Sequence, residues 1–386
     1  MKNLYYNSQY IDKDDQLSVS RSLKNSLITG GKNVEKFERS LKNYFGSKYV
    51  LTCSTGTAAL DLCLRGLEIK KNENIIIPSI NFISIYSMAI NLGINVYLSD
   101  VDEISGIMRP DLVEECIKKN NIKRVKAIVT MYLGGSPEYI SDFSRLKKKY
   151  NCLIIEDACH AFGSSYNVKK NKFKIGSCKH SDIATFSFHP VKTITTGEGG
   201  SISTNNKNIF NKIKLLRSHG IDRKNKYWEY DIKNLSNNYR LSDINCSLGL
   251  TQLKKLNFFI KKREQLANLY KKNLSNLKDL IILPNYVSKF SSWHLFIIKI
   301  NFTNLKINKD GLIKLLNNKN IYPQFHYIPI YKHSVCKTNS NFTKLKNSEK
   351  YYKSNLSLPL HVNLTKKDIN YICRTLKKVI YEKQSS

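Results

Sequence analysis

A chain of 386 residues with 41% hydrophobic residues is long enough for one large domain and a smaller companion, and too apolar for a disordered polymer. The net charge of +33 is typical of nucleic-acid-binding proteins. However, the lysines run from Lys2 to Lys383 and are mixed with Asn and Ile, which indicates a compositional bias rather than a binding stripe. We therefore expect no nucleic-acid partner, although anionic ligands such as sugar diphosphates should be attracted.

The cysteines and the apolar stretches argue against secretion and membrane insertion. The nine cysteines are odd in number and contain no CxxC pair, so we expect neither a disulfide framework nor a metal site. Residues 1–15 lack the apolar core of a signal peptide. The most apolar region, residues 75–98, is interrupted by Pro78 and Gly93, which makes it a poor membrane span. We expect a soluble cytoplasmic protein without a membrane partner.

The first half of the chain alternates β-branched runs with stretches of helical periodicity. Strands are predicted at Tyr49–Cys53, Asn74–Pro78, Asn95–Ser99, Val125–Thr130 and Cys152–Glu156. Helices are predicted at Thr57–Leu67, Phe82–Leu92, Pro110–Lys119 and Pro137–Tyr150. This alternation predicts a parallel or mixed sheet with helices on both faces.

The second half departs from this rhythm. Further strands are predicted at Ile183–His189, Gly200–Thr204, His294–Ile300 and Tyr322–His326. Further helices are predicted at Lys207–Arg217, from Ser242 to about Asn276, and at Lys309–Asn318, Leu345–Leu356 and Thr365–Glu382. Because the helix that starts at Ser242 is long enough to leave one domain and enter another, we predict a large domain over residues 1–255 and a small α/β domain over residues 256–386.

Three segments carry candidate chemistry, and the first is Ser54–Thr57 (Ser-Thr-Gly-Thr), between a predicted strand and a predicted helix. Hydroxyls and a glycine at a helix N-terminus suit a phosphate, although a capped helix start gives the same pattern. The second is Glu156–Asp157 at a strand's carboxyl end, where ligands bind in open α/β sheets. A carboxylate there could keep a pyridinium nitrogen protonated, or it could cap a helix. His160 could bond a ring oxygen or be an ordinary satisfied side chain.

The third segment is the apolar run Phe186–Val191 that ends in Lys192 and is followed by the polar turn Thr195–Gly200. An amine in this position can be desolvated, which lowers its pKa and suits it to Schiff-base chemistry. The order of phosphate turn, aspartate and lysine is much more specific than any one of the three.

With these motifs the chain resembles the DegT-type sugar aminotransferases over essentially its whole length. The matching stretches are Leu27–Gly30, Val34–Phe37, Ser54–Leu60, Ile155–Gly163, Ala184–Gly200, Arg217–Ile221 and Asn238–Leu256. The resemblance implies the α/β fold of the fold-type-I aminotransferases, with a three-layer mixed-sheet large domain and a small C-terminal α/β domain. It also implies pyridoxal 5′-phosphate as the cofactor.

Within the family, His189 and Pro190 before the lysine favour the members that serve pseudaminic acid biosynthesis. Those members aminate a UDP-linked 2-acetamido-2,6-dideoxy-hexos-4-ulose, with L-glutamate as the amino donor. The implied substrates are therefore a UDP-sugar and glutamate. The implied assembly is a homodimer with shared active sites.

The resemblance assigns roles to matching residues. Lys192 would be the catalytic Schiff-base lysine, and Asp157 would meet the pyridinium nitrogen. The further cofactor-binding residues would be Thr55, Gly56, Thr57 and Ser187 at the phosphate, Phe82 and His160 at the ring, and Asn238 from the neighbouring subunit. The sugar-nucleotide site would comprise Tyr6, Ser26, Leu27, Ile28, Thr29, Gln324, Phe325, His326 and Tyr327.

Two segments depart from the family pattern. The family has a single glycine in the loop at 130–137, where this chain has two, and it often has a glycine before the asparagine at 238, where this chain has Ser236 and Asn237. Both lie where substrate selectivity could be set, so an aminotransferase for another keto sugar or ring carbon stays open. Related enzymes that dehydrate sugars with the aminated cofactor have histidine where this chain has Lys192. A non-catalytic polyanion-binding homologue, suggested only by the charge, is a third alternative.

Overall fold

Sixteen strands are present in the parts of the chain that the computed structural model describes, which are residues 2–223, 228–286, 289–336 and 345–384. In chain order they are β1 (Leu4–Tyr5), β2 (Tyr49–Cys53), β3 (Asn74–Pro78), β4 (Asn95–Ser99), β5 (Ala127–Met131), β6 (Leu153–Asp157), β7 (Ser165–Val168), β8 (Asn171–Lys174), β9 (Ile183–Ser187), β10 (Gly200–Thr204), β11 (Ile221–Arg223), β12 (Tyr230–Ile232), β13 (Ile281–Ile282), β14 (Phe296–Ile300), β15 (Ile321–Tyr322) and β16 (Asn355–Leu358).

Twelve α-helices are present in the same described ranges. They are α1 (Lys13–Ser22), α2 (Lys32–Phe45), α3 (Gly56–Gly66), α4 (Ser84–Asn91), α5 (Pro110–Lys119), α6 (Ile140–Tyr150), α7 (Lys207–Leu216), α8 (Asp243–Lys254), α9 (Leu256–Leu274), α10 (Lys309–Asn317), α11 (Lys346–Ser354) and α12 (Lys366–Glu382). None of the helices so described is long and apolar enough to cross a membrane.

A seven-stranded mixed sheet in the order β2-β10-β9-β6-β5-β3-β4 forms the centre of the large domain. Strand β10 runs antiparallel to β2 and β9, whereas the other neighbours in the sheet are parallel. The carboxyl ends of β2, β3, β5, β6 and β9 therefore share one edge. Ligands bind at this edge in open α/β sheets.

Both faces of this sheet are buried. Successive side chains in a strand point to opposite sides, and each side packs against helices. In β3, Ile75 and Ile77 pack in one apolar cluster with residues of α3, α4 and α7. Ile76 between them packs in another cluster, with residues of α5 and α6. The continuous apolar run at this strand is therefore a consequence of its burial on both sides. The α/β three-layer architecture is confirmed.

The C-terminal part has its own apolar core, in which α9 and α12 pack against the small sheet β13-β14-β16. Leu4 belongs to this core, because β1 pairs in parallel with β15 and aligns Leu4 with Ile321. The first residues of the chain thus pack with the last hundred. A division at residues 255 and 256 falls between α8 and α9 and stays a prediction.

Two predicted elements were wrong. The helix from Ser242 to about Asn276 is two helices, because the chain tightens at Lys255, whose N–H donates to the carbonyl three residues back instead of four. The strand Tyr322–His326 ends at Tyr322, since Pro323 has no N–H to donate to a sheet. The residues after it turn towards the cavity described below.

The nine cysteines all fall in described segments and are free thiols. All except Cys159 are buried. Burial raises the pKa of the Cys53 thiol to about 12, which is the behaviour of a small apolar core residue. No cluster of side chains suited to a metal ion was found in the described ranges.

Candidate active site

A cavity of about 760 Å³ lies at the carboxyl edge of the central sheet. The structure brings together most of the predicted site residues on its wall. They are Tyr6, Thr55, Gly56, Thr57, Phe82, Asp157, His160, Ser187, Lys192, Gln324, Phe325, His326 and Tyr327. Segments separated by more than 300 residues in the sequence thus meet in one concave site.

The N-terminus of α3 forms one side of this cavity. Thr55 is the N-cap, and its Oγ1 accepts a hydrogen bond of 3.0 Å from the N–H of Ala58. A Cβ on Gly56 would lie 2.7 Å from the Cβ of Ser187, so glycine is required for β9 to approach the helix. The first N–H groups of a helix have no partner inside it, and the positive end of the helix dipole faces the same way. The helix is therefore capped by Thr55, and its N-terminus still faces the cavity, where it suits an anion.

The adjacent carboxylates Glu156 and Asp157 point to opposite faces of the sheet. Asp157 lines the cavity, where its carboxylate accepts hydrogen bonds from Asn81 Nδ2 at 3.2 Å and from the N–H of Cys159 at 3.3 Å. Glu156 instead accepts a bond of 3.1 Å from Tyr132 Oη, away from the cavity. Burial raises the pKa of Glu156 from 4.5 to about 7. Of the two carboxylates, only Asp157 lines the cavity.

Lys192 follows the turn after β9, and its N–H donates to the carbonyl of His189 at 2.9 Å. The side chain lines the cavity and is largely withdrawn from solvent. Burial lowers the pKa of its amine, and this effect outweighs the opposing influence of the Cys159 thiol and the Asp157 carboxylate. A larger share of neutral, nucleophilic amine is the chemical consequence.

Three histidines also line the cavity. His160 Nε2 and Tyr327 Oη are 2.8 Å apart, and His326 Nδ1 lies 2.8 Å from Ser357 Oγ. The ring of His294 is centred 4.3 Å from that of His160. Burial lowers the pKa of all three, that of His326 to about 3, so these imidazoles are neutral.

The phenyl ring of Phe82 lies at the mouth of the cavity and is 57% exposed. Its centroid is 6.0 Å from that of Tyr327, in a tilted arrangement. A large exposed aromatic ring at a cavity mouth is available to a ligand and is not part of the apolar core.

Two groups of predicted site residues do not line the cavity of their own chain. Residues 26–29 lie on the surface between α1 and α2, with Leu27 59% and Ile28 47% exposed. Asn238 is exposed in the loop before α8, where its Oδ1 accepts a bond of 3.2 Å from the N–H of Arg240.

Sequence reasoning missed several residues on the cavity wall, among them Asn81 and His294. Asn81 follows β3 at the same sheet edge as Asp157, so its position after a strand was an available signal. His294 lies in a segment more than 130 residues beyond Asp157, and no local pattern marks it as a site residue.

The residues on this wall fit pyridoxal phosphate. The cradle at Gly56 suits a phosphate, the carboxylate of Asp157 suits a pyridine nitrogen, and the buried amine of Lys192 suits an aldehyde.

Comparisons with known proteins agree with this chemistry. A model of the DegT/DnrJ/EryC1/StrS aminotransferase family matches residues 9–377. A Campylobacter jejuni protein named UDP-4-amino-4,6-dideoxy-N-acetyl-beta-L-altrosamine transaminase is 37% identical, with 97% of each chain covered. Helicobacter pylori PseC, described as an aminotransferase involved in the biosynthesis of pseudoaminic acid, has a structure that matches with a TM-score of 0.91 at 29% identity, covering 99% of this chain and all of that one. The PLP form of Streptococcus pneumoniae Spr1654 matches with a TM-score of 0.88 at 25% identity, covering 99% of both chains.

Proposed function

Because this chain belongs to the DegT/DnrJ/EryC1/StrS aminotransferase family, we propose that it transfers the amino group of L-glutamate to a UDP-linked 2-acetamido-2,6-dideoxy-hexos-4-ulose. The product would be the 4-amino sugar nucleotide used for pseudaminic-acid-type glycans. The names of the similar proteins from Campylobacter jejuni and Helicobacter pylori support this choice of substrate. Pyridoxal 5′-phosphate is the cofactor, and when bound it supplies the electron sink for removal of the donor's α-proton.

The observation that carries the proposal is one cavity that joins Lys192, Asp157 and the N-terminus of α3. Lys192 would hold the cofactor covalently until the donor displaces it. Its freed amine would then move the proton at the donor's α-carbon, acting as a general base and afterwards as a general acid. The lowered pKa favours this role, because it increases the share of neutral amine and only the neutral amine can accept a proton.

The other wall residues would bind and orient. Asp157 would keep the ring nitrogen protonated, and its hydrogen bonds from Asn81 and Cys159 hold the carboxylate in one orientation. His160 would bond a ring oxygen, and Phe82 would stack on the ring. Thr55, Gly56, Thr57 and Ser187 would surround the phosphate, while Tyr6 and residues 324–327 would contact the sugar nucleotide.

We also propose a homodimer with composite sites. Leu235, which is 89% exposed, lies near Asn238 in sequence and leaves an apolar side chain in water unless a partner covers it. Leu27 and Ile28 in the segment 26–29 are likewise apolar side chains exposed to water unless a partner covers them. A partner that covers both segments would let Asn238 and residues 26–29 reach the neighbouring cavity. A cytoplasmic location is proposed as well, supported by the nine free thiols.

Two experiments test the function. Borohydride should fix the cofactor on the peptide that contains Lys192, and a label on another lysine would contradict the assignment. Incubation with glutamate and a panel of nucleotide keto sugars, analysed by mass spectrometry and NMR, should show amination at carbon 4 of the UDP-linked substrate.

The alternatives give different results in the same experiments. Amination of a different sugar or ring carbon would identify another aminotransferase of the family, and loss of water would identify a dehydratase. Tight, salt-sensitive binding to polyanions without turnover would support a non-catalytic homologue.

A further inference from the structure

A half-buried ammonium in the C-terminal part of the chain lies between two aromatic rings. Lys309 is the first residue of α10, and its Nζ lies 4.6 Å from the ring centroid of Phe325 and 4.4 Å from that of Tyr352. The two rings are in edge contact, with centroids 5.9 Å apart and an interplanar angle of 76°. These three residues join α10 and α11 to the segment 324–327, which lines the cavity.

Helix α10 by itself does not favour a lysine at this position. The first turn of a helix carries the positive end of its dipole, so a cation there is unfavourable. Burial also opposes the charge and lowers the pKa of Lys309 from 10.5 to about 8, although the Asp310 carboxylate acts in the opposite direction. The amine therefore remains mainly charged at neutral pH, and contacts outside α10 must stabilise that charge.

The end of α11 and Asn355 supply hydrogen-bond acceptors for this ammonium. The last carbonyls of a helix have no partner within it and lie at the negative end of its dipole. Lys309 Nζ donates to one of them, the carbonyl of Tyr352, and at 3.1 Å to Asn355 Oδ1. These two bonds account for a helix cap, whereas the cation–π contact with Phe325 connects the same charge to the cavity wall.

The backbone on both sides of the Phe325 ring is attached to β16. Gln324 and Ser357 exchange two backbone hydrogen bonds, of 3.1 and 2.6 Å. On the other side, Asn355 Nδ2 donates to the carbonyl of His326 at 3.3 Å. Because Asn355 also accepts a bond from the ammonium, the charge holds the segment 324–327 through its backbone as well as through its ring.

We propose that Lys309 is a positioning residue for the sugar nucleotide: its ammonium holds the segment 324–327 in the orientation that receives the UDP-sugar. It takes no part in the reaction with L-glutamate. This inference rests on the proposed transamination and deepens it, because it extends the sugar-nucleotide site to a residue behind the cavity wall. Lys309 does not itself line the cavity, so it acts mainly through Phe325.

The two half-reactions of the full-length holoenzyme separate this role from catalysis. Lys309→Met removes the charge and keeps an unbranched side chain, whereas Lys309→Arg keeps a cation. Lys314→Met, at an exposed position of the same helix, is the matched control for loss of one positive charge. Single-turnover spectra follow conversion by L-glutamate and, separately, reaction of the aminated form with the UDP-linked keto sugar. Varying each substrate gives its half-saturating concentration and its maximal rate.

Lys309→Met should raise the half-saturating concentration of the UDP-sugar about 5-fold to 30-fold, the effect of losing a largely desolvated cation–π contact. The maximal rate with the sugar and both values for L-glutamate should stay within about 3-fold of wild type, because only sugar binding is weakened. Lys309→Arg should recover most of the affinity for the UDP-sugar. Lys314→Met should behave as wild type.

A double-mutant cycle shows whether Lys309 acts through Phe325. Phe325→Leu removes the ring, so a further Lys309→Met change should lose most of its effect on the sugar half-reaction. Additive losses in the cycle would overturn the inference. If Lys309→Met does not fold, Lys309→Gln takes its place in the cycle, since it keeps a hydrogen-bond donor and carries no charge.

The outcomes also distinguish this inference from the proposed function. A wild-type protein that is not converted by glutamate would overturn the proposed transamination. Conversion of wild type together with an unchanged half-saturating concentration of UDP-sugar in Lys309→Met would overturn the role of Lys309 alone. Equal losses in both half-reactions would likewise overturn it, because a general disturbance of the fold has that effect.

Discussion

The two carboxylates at the end of β6 differ in surroundings although they are adjacent in sequence. We predict that Asp157→Asn keeps the fold but reduces turnover severely, because a neutral amide cannot hold the ring nitrogen protonated. Loss of this charge-assisted bond, worth about 1.5–3 kcal/mol, should also weaken cofactor retention. Steady-state kinetics and equilibrium dialysis of the cofactor measure both effects. Turnover within a few-fold of wild type would assign the role to another group.

Glu156 provides a prediction about stability and pH. Burial raises its pKa from 4.5 to about 7, so the folded protein binds a proton that the unfolded chain releases over that range. Stability should therefore fall as pH rises from about 4.5 to about 7, by on the order of 3 kcal/mol at most. Glu156→Gln, which remains neutral, should flatten this part of the stability curve and leave turnover nearly unchanged. Denaturant unfolding at several pH values checks the first effect, and an unaltered slope would contradict it.

The sequence indicated the residues that lie at strand ends better than it indicated how the strands orient them or which distant residues join them. Asp157 and Lys192 could be predicted because each terminates an apolar run at a sheet edge, and the structure places both on the cavity wall. Whether Glu156 or Asp157 faces the cavity depends on which side of the sheet each residue lies. The predicted strand did not include Asp157, because β6 begins and ends one residue later than predicted. His294 could not be predicted, because its position depends on packing between distant segments.

At the scale of elements, buried central strands could be predicted most accurately. Strand β3 and helix α5 have the predicted bounds, because a continuous apolar run and a proline at the first helical position are strong local signals. The hairpin β7–β8 was not predicted, since its strands are only four residues long and carry few apolar residues, although Tyr166, Val168 and Phe173 alternate with polar ones. The wrong elements are the helix that breaks at Lys255 and the strand that ends before Pro323, and a long periodic or apolar pattern hides such single-residue interruptions.

The loop after β5 allows a matched test of close packing between elements. Gly135 and Gly46 both have positive φ, but nothing lies within 4 Å of a Cβ on Gly46. Gly46→Ala should therefore show only backbone strain, about 1–2 kcal/mol, whereas Gly135→Ala should also show the cost of overpacking against Ser292, about 1–3 kcal/mol. Urea unfolding measures the difference. Equal losses in the two variants would mean that the segment around Ser292 yields without cost.

At the scale of the whole molecule, the N-terminal segment joins the two parts of the chain. Leu4 packs in the C-terminal core, while Tyr6 lies on the cavity wall. Arg263 on α9 strengthens this link, since its Nη2 donates to Asn7 Oδ1 at 3.1 Å. The boundary at residue 255 was predicted from the long helical pattern. A sequence pattern could not show that the first residues return to the C-terminal core, because that contact is not local.

The composite dimer is the remaining prediction at this scale. Asn238 is exposed outside the cavity of its own chain, so its proposed contact with the cofactor phosphate requires a two-fold partner. Lys192→Ala and Asn238→Asp should each be inactive alone, the second because its charge repels the phosphate. In a mixed dimer, one of the two sites would receive both intact residues and the other both defects. Mixing should therefore restore activity in proportion to the heterodimer present, measured by turnover after co-purification through two different tags. Heterodimers that form and remain inactive would show that Asn238 serves its own subunit or does not reach a cofactor at all.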